Sequence, residues 1–228
     1  MLGDARLFLA SSPMTGIISG VFGLAPGLNS FVNQLFQMNK IPRPLLSVSG
    51  LDTKYFGNGM LVGELNEVDC TNWHQYSSVV RNGWALKSEV ITFMGTKMFF
   101  NNTVLTNFVG PFFFIPTALM EMLKRDYDLR NTNPCLMTGR YCYSIPCNTT
   151  LLFEFRFGKI NIQIDGSMLM TYGPIDTTSN RCGIYIDTYE DIRYAKDSQW
   201  SIGQRILDKN CLAYDYQNHQ IYLGDNIS

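Results

Sequence analysis

Alternating apolar and polar positions predict β-strands in the second half of the chain. Between positions 151 and 157 apolar and charged residues alternate over the second half, Gly158 and Lys159 give a turn signal, and alternation resumes from 160 to 164. A period of two on both sides of a glycine-containing turn is typical of a β-hairpin. We therefore expect two antiparallel strands joined at Gly158 and Lys159.

Two other segments have helical spacing. In the first, apolar residues at 31, 32, 35 and 36 share one helix face, Asn29 or Ser30 is the expected N-cap, and Pro42 and Pro44 end the segment. The second spans 117–124 and follows Pro116. Its apolar side consists of Leu119, Met120 and Leu123. We expect a helix at both places, with the second helix packing against a core.

Composition is that of a folded, strand-rich protein. The 228 residues are 46% hydrophobic and 16% charged, which describes a globular chain with enough length to bury a sizeable core. Aromatic residues reach 13%, which favours strands. The net charge of −1 gives no reason to expect a nucleic-acid partner or an anionic membrane surface, and no apolar run is long enough to span a bilayer.

Cysteines and sequons point to an oxidising compartment. The six cysteines are at positions 70, 135, 142, 147, 182 and 211. With only two histidines, His74 and His219, they give no usual zinc spacing, so we expect paired cysteines and no metal or cofactor. Three N-x-S/T sequons, at Asn101, Asn148 and Asn226, are candidate glycosylation sites. Together these features favour a secreted or extracellular protein.

The amino-terminal residues do not have the features of a secretory signal peptide. A signal peptide has a basic start, a short apolar core and a small-residue cleavage site. Residues 1–10 carry Asp4 and Arg6 and only a short apolar run, and the glycines and Pro26 within 16–28 argue against a second candidate core. We therefore expect no convincing signal peptide in this sequence.

Four motifs in the later part of the chain occur in a recognisable order. Residues 104–109 (Val-Leu-Thr-Asn-Phe-Val) end an apolar run; Trp-Ser-Ile-Gly follows at 200–203, Cys-Leu-Ala-Tyr-Asp at 211–215 and Asn-His-Gln-Ile-Tyr-Leu at 218–223. This order resembles the C-terminal lobe of the pepsin-like aspartic proteases. In that family a strand ending in Asp-Thr-Gly is followed by Trp-Ile-Leu-Gly, a strand ending in Phe/Tyr-Asp, and a final hairpin.

The resemblance extends upstream. Gly-Val-Phe-Gly-Leu-Ala at 20–25 resembles the family's Gly-Ile-Leu-Gly-Leu-Ala, and Trp84 begins a segment that resembles the strand crossing into the second lobe. The implied fold is mainly β, a pepsin-like acid-protease β-barrel lobe. We expect one complete C-terminal lobe over 76–228. Residues 1–75 are then a remnant of the N-terminal lobe with the inter-lobe strands, whose unpaired edges near Gly20 would make the chain poorly soluble or partner-dependent.

The resemblance also implies that the catalytic chemistry is lost. Asn107 occupies the position of the second-lobe catalytic aspartate, Phe108 that of the threonine and Val109 that of the glycine. No Asp-Thr-Gly or Asp-Ser-Gly triplet occurs in the sequence. The nearest triplets, at 52–54, 176–178 and 187–189, are interpreted as turn residues. The mechanism needs two carboxylates that share a proton, and an amide cannot replace either one.

We therefore expect a member of this family without an intact catalytic site. It could bind peptides or another protein through what remains of the cleft. One alternative is that the sequence is a fragment of an active pepsin-like endopeptidase. Another is that Asn107 is an ordinary turn residue in an unrelated β-rich binding module.

A disulfide is also implied by the resemblance. Cys142, ten residues before Leu152, matches the family's cysteine and is expected to pair with Cys182, with Cys147 as the competing partner. Such a bond would stabilise the fold by roughly 3–4 kcal/mol in the chain-entropy estimate. The other three cysteines (Cys70, Cys135 and Cys211) remain unassigned, although the position of Cys211 in an expected strand favours a buried thiol.

Overall fold

The expected strands form four sheets within the part of the chain that the structure, a computed structural model, describes. The described residues are 26–27, 29–52, 57–106, 113–132, 142–175, 180–188, 200–203 and 209–227. Strands greatly outnumber helices in these ranges, so the prediction of a mainly β fold is confirmed. The sheets are open rows of strands, and no closed barrel is formed by the described residues.

The first half of the chain contains α1 (Phe31–Gln37), β1 (Leu45–Asp52), β2 (Gly57–Val62), β3 (Cys70–Ser77), β4 (Ala85–Lys87), β5 (Val90–Phe93), β6 (Thr96–Lys97), β7 (Thr103–Thr106) and β8 (Phe113–Phe114). The second half contains α2 (Thr117–Asp126), β9 (Arg130–Thr132), β10 (Cys142–Pro146), β11 (Leu152–Phe157), β12 (Ile160–Asp165), α3 (Gly166–Leu169), β13 (Met170–Pro174), β14 (Arg181–Ile184), β15 (Ile186–Asp187), β16 (Trp200–Ile202), β17 (Asn210–Asp215) and β18 (Gln220–Asn226).

Both predicted helices are confirmed. In α1 the N-cap is Ser30, whose hydroxyl accepts the Asn33 backbone N–H at 3.2 Å, one of the two caps considered from the sequence. Helix α2 begins at Thr117 as expected but continues to Asp126, and the three predicted apolar residues are its buried ones. In the described residues no helix is long and apolar enough to cross a bilayer.

The chain divides into two compact units. Unit 1 consists of Met1–Ala85 and Leu207–Ser228, and unit 2 consists of Leu86–Ile206. These limits differ from the expected boundary after residue 75, because the last two strands pair with early ones in the order β2-β1-β17-β18-β3. The assignment of 1–75 and 76–228 to two lobes of a larger fold stays a prediction.

A disulfide in unit 1 links the two chain segments that form its sheet. Cys70 at the start of β3 is bonded to Cys211 in β17, 141 residues later, with the Cα atoms 6.1 Å apart. Both residues are buried. The interpretation of Cys211 as a buried thiol is therefore wrong, because β17 and β3 lie on the two sides of β18 and bring the two cysteines within disulfide distance.

Unit 2 contains three sheets. Their strand orders are β13-β14-β10-β9, β12-β11-β5-β6 and β15-β8-β16-β7-β4. The predicted hairpin is confirmed: β11 and β12 pair antiparallel from Leu152↔Asp165 to Phe157↔Ile160, with Gly158 at φ +55° in the turn. Their alternating inward residues are buried.

The disulfide of unit 2 is formed by the alternative partner. Cys182 is bonded to Cys147, with Cα atoms 4.9 Å apart, so the expected Cys142–Cys182 bond is wrong. In the β10–β14 ladder Cys182 faces Ile145. Continuing that register puts Cys142 three residues, or about 10 Å, farther along the sheet, beyond the reach of a disulfide.

Candidate functional site

The candidate site is the segment of residues 107–112, which lies between β7 and β8 in the sequence. Asn107, Phe108 and Val109 lie outside the described residues, as does the upstream segment at 20–25 that resembles the family. The structure does describe the strands on both sides of this segment. The pairing of these two strands is the part of the site that the structure shows.

Both strands that flank residues 107–112 pair with β16. Strand β7, which ends directly before Asn107, runs parallel to β16 with Val104 opposite Trp200 and Thr106 opposite Ile202. Strand β8, which begins directly after residue 112, pairs with β16 in antiparallel fashion at Ser201↔Phe114. The Trp-Ser-Ile-Gly segment is thus paired with the strand that ends directly before Asn107. One strand, β16, thus pairs with the strands on both sides of residues 107–112.

An aromatic core supports this arrangement. Trp200 is fully buried, and its ring centroid lies 5.4 Å from that of Phe155 and 6.1 Å from that of Phe113. Phe100 packs edge-on against the same indole at 6.3 Å. Aromatic pairs at these separations stabilise a core beyond their burial alone. The described strands beside residues 107–112 are thus stabilised by aromatic packing around Trp200.

Ser201 is the exception in this framework. Its side chain is 0% exposed, and its hydroxyl has no hydrogen-bond partner within the part of the chain that is described. A buried hydroxyl without a partner destabilises a fold because it has lost its water. No sequence signal marks this position, since a serine between two apolar residues of a strand is consistent with many environments.

The nearest Asp-Thr triplets are not equivalent sites. Asp187 belongs to β15, and its Oδ1 accepts the Thr188 backbone N–H at 2.8 Å, so it does bond its own backbone as expected. Asp52 is the last residue of β1, opposite Gly57. Both were expected in turns, and that expectation is wrong because each lies in a strand. The third triplet, at 176–178, lies outside the described residues.

No metal centre is formed in the described ranges, where no three His, Cys, Asp or Glu side chains converge. His219 instead has a packing role in unit 1. Its ring lies edge-on to Trp84 at 5.1 Å, and its Nε2 is 3.2 Å from the carbonyl oxygen of Gly83. Trp84 also stacks on Tyr214 at 4.8 Å. Burial raises the pKa of the nearby Tyr216 hydroxyl, so this phenol stays neutral.

A cluster of polar groups links Asp128, in the segment after α2, to strands β10 and β14. Arg181 donates to the Asp128 carboxylate at 2.7 Å, to the Asp128 carbonyl at 2.6 Å and to the Ser144 carbonyl at 2.8 Å. Hydrogen bonds from Arg130 and then from Arg181 hold the pKa of Asp128 below its usual value. The bonds to main-chain carbonyls give this cluster a structural role. Sequence reasoning missed it because its members come from separate segments.

The three sequons differ in their surroundings. Asn101 and Asn148 are exposed, in the segment before β7 and in the turn after β10. Asn226 is half-buried at the end of β18, where it faces Cys70 across the sheet and its backbone N–H donates to the Lys209 carbonyl. The sequence pattern alone does not distinguish these sites.

Comparison with known proteins adds one finding. The family model described as eukaryotic aspartyl protease matches residues 3–226 of the chain. A search of curated proteins finds no match. The family match covers both units and includes residues 107–112.

Proposed function

Because this chain belongs to the eukaryotic aspartyl protease family, we propose that it is a catalytically inactive member that binds peptide or protein segments. The observation that carries the proposal is Asn107. It follows directly on β7, the strand paired with the Trp-Ser-Ile-Gly segment, which is where the family's motif has its second catalytic aspartate.

The chemistry of an amide supports the loss of activity. Two adjacent carboxylates can act as acid and base because their proximity prevents both from ionising at once. The side chain of Asn107 neither loses nor gains a proton at working pH, so it can hold a water molecule but cannot activate it. A carboxylate supplied by any other segment or chain would therefore remain alone.

The two residues after Asn107 support the same conclusion. Phe108 lacks the hydroxyl of the family's threonine, and Val109 has a branched side chain where the family's glycine has none. A Cβ at that position opposes the close approach of backbone that glycine permits. A change of all three residues is more than an adjustment of one pKa.

A retained binding role is supported by the intact packing of the framework. Strands β7 and β8 both pair with β16, and Trp200 is packed against Phe113 and Phe155. The two disulfides indicate an oxidising compartment. We infer that the protein acts in the secretory pathway or outside the cell.

Activity is tested with the oxidised chain, a denatured protein substrate and a peptide library, from pH 2 to 8. We expect no cleavage above the buffer control by the wild type or by Asn107→Ala. Cleavage by the wild type that Asn107→Ala abolishes would overturn the proposal. Binding is tested by affinity selection from the same library, with heat-denatured chain as control, and failure to enrich any peptide would overturn the binding role.

The alternative, a fragment of a working protease, is distinguished by the native protein. Its intact mass and amino-terminal sequence show whether a longer chain carries an upstream Asp-Thr-Gly. If it does, the proposal predicts that the longer chain is inactive as it stands and that only its Asn107→Asp variant can gain hydrolysis. Hydrolysis by the unaltered longer chain would support the alternative.

A further inference from the structure

Phe99 is the most exposed large apolar side chain in the described part of the chain, at 88% exposure. Single apolar residues on a surface are common and need no explanation by themselves. Phe99 stands out because it lies two residues before Asn101, the first residue of the sequon Asn101-Asn102-Thr103. The Lys97 ammonium is 5.7 Å from the ring centroid, a contact that uses one face of the ring.

The residues of this segment alternate between exposed and half-buried positions. Phe100 packs against Trp200, and Asn102 is tied to Ser88, whose backbone N–H donates to the Asn102 carbonyl at 2.9 Å and whose own carbonyl accepts from the Asn102 side chain. Phe99 and Asn101 are the exposed pair. Two residues separate Cα atoms by at most about 7 Å, so the ring and the Asn101 amide lie within the reach of one sugar.

The conformation of Asn101 is fixed by its own sequon. Its Oδ1 accepts the backbone N–H of Thr103 at 3.0 Å. Nδ2, the atom that carries a glycan, is the other end of the same amide. We propose that Asn101 carries an N-linked glycan and that the first N-acetylglucosamine packs its C–H groups on the ring of Phe99. The face of an aromatic ring is negative and attracts the weakly positive C–H groups of a sugar.

The transfer uses a lipid-linked oligosaccharide diphosphate and the oligosaccharyltransferase of the secretory pathway. A bond forms between Asn101 Nδ2 and the anomeric carbon, and the bond from that carbon to the diphosphate oxygen breaks. The diphosphate leaves with the electron pair, and the amide nitrogen loses one proton. The reaction needs the compartment that the disulfides indicate. The proposed glycan at Asn101 does not depend on the proposed loss of catalysis.

The other two sequons lack this arrangement. Asn148 is exposed, but the residue two positions before it is Pro146. Two positions before Asn226 is Gly224, which is buried against β3, where an added Cβ would lie 2.9 Å from the Thr71 carbonyl oxygen. Asn148 is therefore the matched control, an exposed sequon without an aromatic neighbour.

Occupancy is tested by secreting the full chain from insect cells behind a cleavable signal and analysing tryptic glycopeptides by mass spectrometry. We expect a glycan at Asn101 and its loss in Asn101→Gln. A secreted, folded chain that is unmodified at Asn101 would overturn the proposal, provided that a control glycoprotein from the same cells is modified.

Packing on Phe99 is tested by the rate at which a peptide N-glycosidase releases the Asn101 glycan from the native chain. We expect Phe99→Ala to speed release by about 2- to 10-fold, the range that an aromatic contact of ordinary strength provides. Phe99→Tyr should keep release slow, and any glycan at Asn148 should be released at an unchanged rate. Equal rates at Asn101 in the wild type and Phe99→Ala would overturn the packing contact.

Discussion

Replacing Cys70 and Cys211 together with alanine should destabilise the protein by about 5 kcal/mol if the whole chain unfolds in one step. The disulfide closes a loop that spans 141 positions, so in the unfolded chain it removes a large part of the conformational freedom. The bond lies in unit 1, but the loop that it closes contains the whole of unit 2. Because of that arrangement, the loss of stability in the double variant depends on whether unit 2 unfolds together with unit 1.

The estimate changes if unit 2 remains folded while unit 1 unfolds. Only the nineteen residues 71–85 and 207–210 of unit 1 then lie free between the two cysteines. A loop of that length gives about 3 kcal/mol in the same chain-entropy model. The two values differ by more than the usual uncertainty of a denaturant titration. The measured loss therefore reports whether the two units unfold together.

The assay is guanidinium unfolding of the oxidised chain, followed by circular dichroism and by tryptophan fluorescence. Trp73 and Trp84 belong to unit 1 and Trp200 to unit 2, so circular dichroism and fluorescence transitions that do not coincide would show that the two units unfold separately. Cys147→Ala with Cys182→Ala is the matched control, because its loop spans 35 positions and predicts a loss of about 4 kcal/mol.

The outcome that would refute the reasoning is specific. If the Cys70→Ala/Cys211→Ala double variant loses less than about 2 kcal/mol, chain entropy does not explain the bond's contribution. The single variant Cys70→Ala separates the loss of the bond from the loss of a buried sulfur. It should be as unstable as the double variant to within about 1 kcal/mol.

Two further predictions concern polar groups. Ser201→Ala should raise the free energy of unfolding by about 1 kcal/mol, because it removes a buried hydroxyl that has no partner in the described residues. Ser47 is equally buried, but its hydroxyl donates to the Glu64 carbonyl at 3.1 Å. Ser47→Ala should therefore lower the free energy of unfolding by about 1 kcal/mol. Equal losses in urea titrations of the two variants would contradict this. The pKa of Asp128 is lowered in the folded state, so its contribution is present above its unfolded pKa of about 3.9 and is lost as the pH falls through the folded value. Asp128→Asn should therefore flatten the loss of stability below about pH 4, whereas Asp126→Asn, whose arginine partner is the adjacent residue in the folded and unfolded chain alike, should not.

Local signals account for the elements that were predicted correctly. The signals for the hairpin at Gly158 and for the two helices come from residues within one turn or one strand of each other. None of these three elements needs information from elsewhere in the chain. The end of α2 was placed two residues early. Its last residues are exposed and charged, so apolar periodicity stops before the helix does.

The disulfide partners depend on strand register, which sequence spacing does not give. In the register of β10 and β14 Cys182 faces Ile145, which leaves Cys142 three residues away along the sheet while Cys147, just after β10, is within reach; a shift of a few positions would change the partner. The partner of Cys211 depended on a sheet that joins residues more than a hundred positions apart. No local pattern marks such a contact.

If catalysis is lost as we propose, the described strands beside residues 107–112 can still be stable. The described strands β7 and β8 both pair with β16, and Trp200 in β16 packs against Phe113; all of these residues lie outside 107–112. Substitutions at 107–109 therefore remove none of these core contacts. The reverse holds for Trp200, whose loss would empty a fully buried position at a cost of about 3–5 kcal/mol. The residues that stabilise the described framework are thus different from the residue that stands at the position of the family's catalytic aspartate. The loss of a carboxylate at Asn107, as we propose it, is therefore compatible with a stable framework.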